Sequence, residues 1–216
     1  MDKLSCVIFD LDGTLTQTNE LIFAAFNHVA QRYATKTFSP QEITAMFGPP
    51  EEVAVESLVG QECAQEAMSS MLDYYRDHHG QFACMHPGAK EMLDYLKSRN
   101  VRLALFTGKG RFTAEITMMK FGLKRYFDLV VTGNDVMKHK PSAEGIQKIL
   151  QALNVQPEHA VMIGDSINDI RAAREAGVLM ASVVYDSYAK EKVLGMNSDL
   201  VFHSVEEVFS WLKELA

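Results

Sequence analysis

The sequence has few cysteines, and they are poorly placed for a shared structural role. Cys6, Cys63 and Cys84 are far apart, odd in number and without C-x-x-C spacing, so they predict neither a disulfide framework nor a zinc site. The chain also lacks any apolar run near the roughly 20 residues that a membrane-spanning helix needs. We therefore expect no association with a membrane.

Positive charge is in deficit as well. The chain of 216 residues carries 21 Lys and Arg against 28 Asp and Glu, a net charge of -7. This balance argues against a nucleic-acid-binding protein, which needs a basic face. The first residues lack the regions of a signal peptide, and we expect a cytoplasmic protein. Its expected partners are small molecules, and nothing in the sequence indicates an oligomeric state.

Short apolar runs are the most informative regularity that is present. Five of them, each followed at once by a polar residue, cover residues 6–9, 101–106, 129–131, 160–163 and 181–184. They are rich in β-branched residues and separated by helix-like segments, including 89–99, 143–153, 167–176 and 205–215. The pattern predicts an α/β fold with a Rossmann-like parallel sheet.

Residues 16–83 interrupt this alternation because they contain no strand-like run and have helical spacing throughout. We expect a small α-helical cap domain here, inserted into a catalytic core formed by 1–15 and 84–216. The segment is acidic, with nine Asp and Glu against three Lys and Arg. Its candidate substrate contacts are the polar residues Asn19, Glu20, Arg76 and His79, although each residue type is more often simply exposed.

Two aspartates follow the first predicted strand. Asp10 and Asp12 are two residues apart and project the same way from an extended chain. Two carboxylates this close repel each other unless one is protonated or a cation joins them. Oxygen ligands suit magnesium, which completes its coordination shell with water and substrate phosphate.

Other polar groups follow later strands, where parallel sheets bind ligands. Asp165 and Asp169 follow the fourth run, although Asp165 or Ser166 could also cap the next helix. Thr107 and Gly108 follow the second run, and their hydroxyl and amide groups could hold phosphate oxygens. Lys140 could neutralise a phosphate, with Lys109 or Arg111 as additional cations. A lone lysine is usually just a solvated charge, so only the ordered set favours a phosphate site.

These four motifs, in this order, resemble those of the haloacid dehalogenase superfamily, and the helical insertion resembles its subclass with an α-helical cap. The resemblance implies that Asp10 forms an aspartyl phosphate and that Asp12 acts first as an acid and then as a base. It implies a Mg²⁺ ion bound by Asp10, Asp165 and the carbonyl of Asp12, with Asp169 as a ligand or outer support. Thr107, Gly108 and Lys140 would hold the phosphoryl group.

The resemblance predicts a phosphatase acting on a small phosphorylated metabolite. Dehalogenases and phosphonatases of this family lack an aspartate at the position of Asp12, which argues against cleavage of carbon–halogen or carbon–phosphorus bonds. The last motif resembles that of phosphoglycolate phosphatases, whereas residues 18–22, 47–49 and 75–79 resemble the pyrophosphatase branch. A mutase like β-phosphoglucomutase stays open, although mutases usually carry glutamate at the position of Gly164.

Other classes fit less well. A signalling receiver domain also gathers aspartates, a threonine and a lysine, but it is shorter and has no inserted cap. The glycine-rich motifs of dinucleotide-binding proteins and nucleotide kinases do not occur in the sequence. His78, His79 and His86 lack the partner spacing that a metal cluster would need.

Overall fold

The computed structural model describes residues 4–215, and its core is a six-stranded parallel sheet. The sheet order is β5-β4-β1-β6-β7-β8. Its strands are β1 (Cys6–Phe9), β4 (Arg102–Phe106), β5 (Leu129–Val131), β6 (Ala160–Gly164), β7 (Leu179–Val183) and β8 (Leu200–Phe202). The predicted α/β fold with a Rossmann-like parallel sheet is confirmed.

Strand β1 lies in the middle of the sheet, between β4 and β6. Phe9 is in register with Leu105 on one side and with Ile163 on the other. The chain segments that follow these three strands therefore meet at one edge of the sheet. This is where ligands bind in open parallel sheets, because the strand order changes direction there.

The two faces of the sheet support separate apolar cores. Val7 and Phe9 belong to the first core, and Cys6 and Ile8, which alternate with them, belong to the second. The helices of the α/β region are α5 (Ala89–Ser98), α6 (Arg111–Phe121), α7 (Glu144–Leu153), α8 (Ile167–Ala176), α9 (Lys190–Leu194) and α10 (Val205–Leu215). Burial on both faces fixes β1, and with it the position of Asp10.

Four helices lie between β1 and the rest of the sheet in the sequence. They are α1 (Asn19–Ala34), α2 (Pro40–Thr44), α3 (Glu51–Val59) and α4 (Gln61–Phe82). Helix α2 begins with a capping box in which the Ser39 hydroxyl and the Glu42 carboxylate satisfy each other's backbone amides. We refer to residues 16–83 as the cap, and these bounds stay a prediction.

The cap has its own apolar core, and it contacts helix α6. Ile116 of α6 is buried among the apolar side chains of the cap. The hydroxyl groups of Tyr75 in α4 and Thr117 in α6 lie 2.9 Å apart in a buried hydrogen bond. Apolar burial together with a satisfied polar contact holds the cap over this side of the sheet.

Several elements were absent from the prediction. Strands β2 (Thr16–Gln17) and β3 (Cys84–Met85) pair antiparallel where the chain enters and leaves the helical segment. The expectation that residues 16–83 contain no strand is therefore wrong at its first two residues. A strand of two residues is too short to show a period in the sequence. Helix α6, helix α9 and the edge strand β8 were not predicted either.

Within residues 4–215, no helix combines the length and the apolar character that crossing a membrane requires.

Candidate active site

Asp10 and Lys140 form the buried centre of the candidate site. Asp10 follows strand β1, and its amide donates a hydrogen bond to the carbonyl of Ile163 at 2.8 Å. Lys140 Nζ donates to Asp10 Oδ1 at 2.7 Å and to the carbonyl of Phe106 at 2.7 Å. Its third bond goes to Asp169 Oδ1 at 2.6 Å. All three N–H donors of Lys140 are therefore occupied.

Burial and the neighbouring charges shift the pKa values of Asp10 and Lys140 to different extents. Burial raises the pKa of Asp10 to about 7, although the Lys140 ammonium acts in the opposite direction. Burial alone would lower the pKa of Lys140, but Asp10 and Asp169 outweigh it and hold that pKa above its ordinary value. Lys140 is therefore a fixed positive charge beside Asp10.

Asp169 is oriented by the first turn of helix α8. Its Oδ2 accepts hydrogen bonds from the Ser166 amide at 3.0 Å and the Ser166 hydroxyl at 2.6 Å. The Ser166 hydroxyl accepts in turn from the Asp169 amide, which completes a capping box. Asp169 also fills the space where a side chain at Gly164 would lie, because a Cβ there would be 2.5 Å from its Cγ. A glycine at this position is therefore required for the observed packing.

Asp165 completes a cluster of three carboxylates with Asp10 and Asp169. One oxygen from each lies within 4.8 Å of the others, which is a spacing suitable for a metal ion. Burial raises the pKa of Asp165 well above its ordinary range, and the charges of Asp10 and Asp169 raise it further. Gly13 allows this close approach, because it has a φ of 77° and a Cβ there would lie 2.7 Å from Asp165 Oδ2.

Asp12 points away from the carboxylate cluster. Its Oδ1 accepts a short hydrogen bond from the Thr18 hydroxyl, and its Oδ2 lies 3.2 Å from Lys109 Nζ. Thr18 immediately precedes helix α1 of the cap. The side chain of Asp12 is therefore fixed between the first residues of the cap and the segment that follows strand β4.

Lys109 connects Asp12 with the cap. Its side chain is 2% exposed, and its Nζ lies 3.5 Å from Glu51 Oε1 at the start of helix α3. Neither this contact nor the contact with Asp12 has hydrogen-bond geometry. The two carboxylates nevertheless raise the pKa of Lys109 above its ordinary value, despite the opposing effect of burial. Electrostatic attraction to the two carboxylates therefore holds the ammonium. Its Nζ also lies 4.8 Å from the centroid of the Tyr75 ring.

Glu51 is a buried residue of the site that sequence reasoning missed. It accepts a hydrogen bond from the Thr113 hydroxyl at 2.7 Å and a short one from the Gly110 amide. Gly110 is the N-cap residue of helix α6 and Thr113 lies in its first turn, where a carboxylate is favourable. No sequence pattern indicates this contact, since its partners are about sixty positions away and Glu51 lies in a generally acidic segment.

Thr107 and Gly108 form the start of the loop after strand β4. Thr107 is buried, its amide donates to the Val131 carbonyl at 3.0 Å, and its hydroxyl accepts from the Lys109 amide at 3.2 Å. Both residues line the same cavity as Asp10 and Lys140. The structure therefore brings the predicted catalytic, metal-binding and phosphate-binding residues of the four motifs to one edge of the sheet.

A cavity of about 640 Å³ lies above these residues, between the cap and the sheet. Of the four cap residues considered as substrate contacts, Asn19 lines it, whereas Glu20, Arg76 and His79 are not among its lining residues. Arg76 pairs with Asp73, and His79 contacts Thr117. Each side chain therefore has a local explanation away from the cavity.

The other cations and histidines have separate surroundings. Arg111 pairs with Asp135 at 2.5 Å rather than facing the cavity. His78 stacks on Tyr74, and His86 lies 3.6 Å from Asp186. Within residues 4–215, the group able to hold a metal is made of aspartates, and no histidine belongs to it.

Comparison with known proteins agrees with this architecture. Residues 7–183 match the model of the haloacid dehalogenase-like hydrolase family. A pyrophosphatase PpaX from Bacillus thuringiensis is 32% identical over 207 residues, which cover 92% of this chain and 95% of that protein. The chain belongs to the haloacid dehalogenase-like hydrolase family.

Two solved structures extend the comparison. A Thermotoga maritima protein assigned as a β-phosphoglucomutase has a TM-score of 0.78 and 28% identity, covering 99% of this chain and 100% of that one. A Lactobacillus plantarum protein assigned as a phosphoglycolate phosphatase has a TM-score of 0.78 and 24% identity, covering 96% and 99%. The second shows a shared fold alone. The predictions of the family and of a phosphatase are confirmed.

Proposed function

We propose that this enzyme is a magnesium-dependent phosphatase that hydrolyses a small phosphorylated metabolite through an aspartyl phosphate on Asp10. The observation that carries the proposal is the arrangement of Lys140, which bonds to Asp10 and Asp169 while Asp165 lies beside them. A fixed cation next to a buried carboxylate cluster is suited to binding a phosphoryl group together with a divalent metal.

The residues present fit a magnesium ion. Three carboxylate oxygens converge within 4.8 Å, and among residues 4–215 no donor hydrogen-bonds to the side chain of Asp165. Burial raises the pKa of Asp165, and repulsion by Asp10 and Asp169 raises it further, which a bound cation would relieve. Asp10, Asp165 and the carbonyl of Asp12 would hold the ion, with Asp169 as a ligand or outer support. When bound, magnesium would neutralise charge on the phosphoryl oxygens.

Asp10 is the proposed nucleophile. Lys140 binds its Oδ1, whereas its Oδ2 accepts no hydrogen bond from the described residues. Attack of Oδ2 on phosphorus would form the aspartyl phosphate and break the bond to the leaving oxygen. Attack of water on phosphorus would then release inorganic phosphate and restore the Asp10 carboxylate. Splitting the reaction in two makes each displacement easier than direct hydrolysis.

Asp12 is the proposed acid and base. It would donate a proton to the leaving oxygen in the first step and take one from the attacking water in the second. Thr18 and Lys109 hold its two oxygens, so its position depends on the cap as well as the sheet. Thr107, Gly108 and Lys140 would bind the phosphoryl oxygens and orient phosphorus toward Asp10.

The substrate branch has more than one candidate. The last motif favours a phosphoglycolate phosphatase-like enzyme, whereas the relative with 32% identity is named a pyrophosphatase. A mutase has less support, because Asp169 occupies the space that a glutamate at position 164 would need. The cytoplasmic location also stays a prediction.

The function is tested by measuring phosphate release from phosphoglycolate, pyrophosphate, sugar phosphates and nucleotides, with magnesium and with a chelator. We expect release from at least one of these compounds, loss of release in the chelator and recovery when magnesium is added. Release that persists in the chelator would contradict the metal assignment, and the absence of release both from these compounds and from simple alkyl and aryl phosphate monoesters would contradict the phosphatase itself.

A further inference from the structure

The cavity is much larger than the phosphoryl site at its floor. Asp10, Thr107 and Lys140 line the floor, and the cavity of about 640 Å³ extends from there to the inner face of the cap. This volume is within the range of roughly 300–1,000 Å³ that holds metabolite- to drug-sized ligands. The space beyond the floor is therefore available to the leaving group of the substrate.

The cap wall of this cavity is mainly apolar and contains no cation. Its apolar side chains are Ile22, Phe26, Ala45, Met46, Phe47, Pro49 and Ala54. The polar residues Asn19, Gln41 and Thr44 are uncharged. Glu51, the charged cap side chain along the cavity, is already bonded to Gly110 and Thr113.

The absence of a cap cation matters for the charge of the substrate. A second anionic group enclosed under the cap would lose its hydration without gaining a positive partner there. Lys109 is held between Asp12 and Glu51, and Lys140 lies beside Asp10 at the phosphoryl site rather than under the cap. Lys190 and Lys192 also line the cavity, but both belong to the α/β region and are exposed, so that they keep their hydration.

Two exposed aromatic rings line the cavity, one from the cap and one from the α/β region. Phe47 of the cap is 41% exposed, and Tyr188 of the α/β region is 52% exposed. The Tyr188 ring is supported edge-on by Phe23, with 4.8 Å between the ring centroids. Large apolar side chains left exposed inside a cleft are typical of ligand-binding surfaces.

We propose that the leaving group of the substrate is uncharged and has an apolar body, which packs between Phe47 and Tyr188 beneath the cap. This inference rests on the proposed phosphatase function and adds the class of substrate: phosphate monoesters of apolar alcohols. It disfavours pyrophosphate and phosphoglycolate, because each places a second anion where the cap provides no cation.

The test compares benzyl phosphate with ethyl phosphate, which lacks the aromatic ring, and with phosphoglycolate and pyrophosphate. We expect kcat/KM for benzyl phosphate to exceed that of each other compound by about tenfold or more, since even small apolar contacts discriminate by this factor. Equal values for benzyl and ethyl phosphate, or a preference for phosphoglycolate or pyrophosphate, would overturn the inference while leaving the phosphatase intact.

Variants locate the origin of the preference. Phe47→Ala and Tyr188→Ala should each lower the ratio of kcat/KM between benzyl and ethyl phosphate severalfold. Phe112→Ala is the matched control, because Phe112 is 55% exposed and does not line the cavity. An unchanged ratio in both cavity variants would overturn the inference. If the parent enzyme releases phosphate from none of these esters, the proposed phosphatase function itself would be contradicted.

Discussion

Glu51 of cap helix α3 accepts a hydrogen bond from the Thr113 hydroxyl of helix α6 at 2.7 Å. The same carboxylate receives the Gly110 amide and lies beside Lys109, which in turn contacts Asp12. The cap is thereby connected to the proposed acid and base through one buried lysine. Movement of the cap away from helix α6 would remove one of the two charges that hold Lys109.

Replacing Glu51 by glutamine should therefore reduce turnover. Glu51→Gln keeps the size of the side chain but removes the charge beside Lys109, and hydrogen bonds to a charged group contribute about 1.5–3 kcal/mol. We expect kcat to fall about tenfold or more, with a smaller change in KM. The control is Glu56→Gln, an exposed position of the same helix. Equal kinetics in the two variants would show that the connection has no role in turnover.

Magnesium should stabilise the protein through Asp165. Because burial raises the pKa of Asp165 and Asp10, ionising them in the metal-free protein is unfavourable. Protonated Asp10 therefore contributes to the free energy of unfolding. This contribution is complete below the unfolded pKa near 4 and is lost as the pH rises through about 7. Magnesium should raise Tm at neutral pH, and ligand at a hundred times Kd contributes about 2.7 kcal/mol.

The variant Asp165→Asn tests whether stabilisation by magnesium depends on the Asp165 carboxylate. The variant should be at least as stable as the parent without metal, because one repelling carboxylate is removed, and magnesium should no longer raise its Tm. Asp77→Asn, at an exposed cap position, should keep the response to magnesium. A magnesium-dependent Tm shift in Asp165→Asn equal to that of the parent would contradict the proposed ligand set. Both comparisons use thermal denaturation and require no activity.

Lys140 should be required for stability as well as for activity. Lys140→Met leaves Asp10 and Asp169 without their shared cation, and breaking a buried ion pair costs about 3–5 kcal/mol. We expect lower stability in urea and a loss of phosphate release. Lys138→Met, at the exposed position two residues earlier, is the control. Normal turnover by Lys140→Met would contradict the role given to this residue.

His79 should make stability depend on pH below neutrality. Burial lowers the pKa of His79 to about 4, whereas the unfolded value is 6.5. Between these values the unfolded chain binds the additional proton, so stability falls as the pH decreases. Urea titrations should show a smaller loss over this interval for His79→Gln, which keeps a polar group near Thr117. An identical pH dependence in both proteins would contradict the assignment.

The sequence was sufficient to predict the parts of the site that depend on local pattern. Asp10, Thr107 and Asp165 each follow an apolar strand, and parallel pairing brings those strand ends together. Lys140 was recognisable only as a member of the ordered set, and its three hydrogen bonds depend on the folded chain. Its position beside Asp10 agrees with the role that the resemblance implies.

The contacts between the cap and the sheet could not be predicted. Glu51 and Lys109 are far apart in sequence, and neither lies in a pattern that identifies a partner. The isolated charge of Lys109 indicated attraction of an anionic substrate, yet the structure buries it between two carboxylates. The β2–β3 ribbon was missed for another reason, since two-residue strands have no detectable alternation.

The central claim is that Asp10 carries the phosphoryl group, and its most direct test is to trap that intermediate. The enzyme would be mixed with a radiolabelled substrate and magnesium, quenched in acid during turnover, digested and mapped by mass spectrometry. We expect label on the peptide that contains Asp10, none when a chelator is present, and none with Asp10→Asn, whose turnover should fall by at least about a thousandfold. Label on another residue, or rapid turnover by Asp10→Asn, would contradict the account.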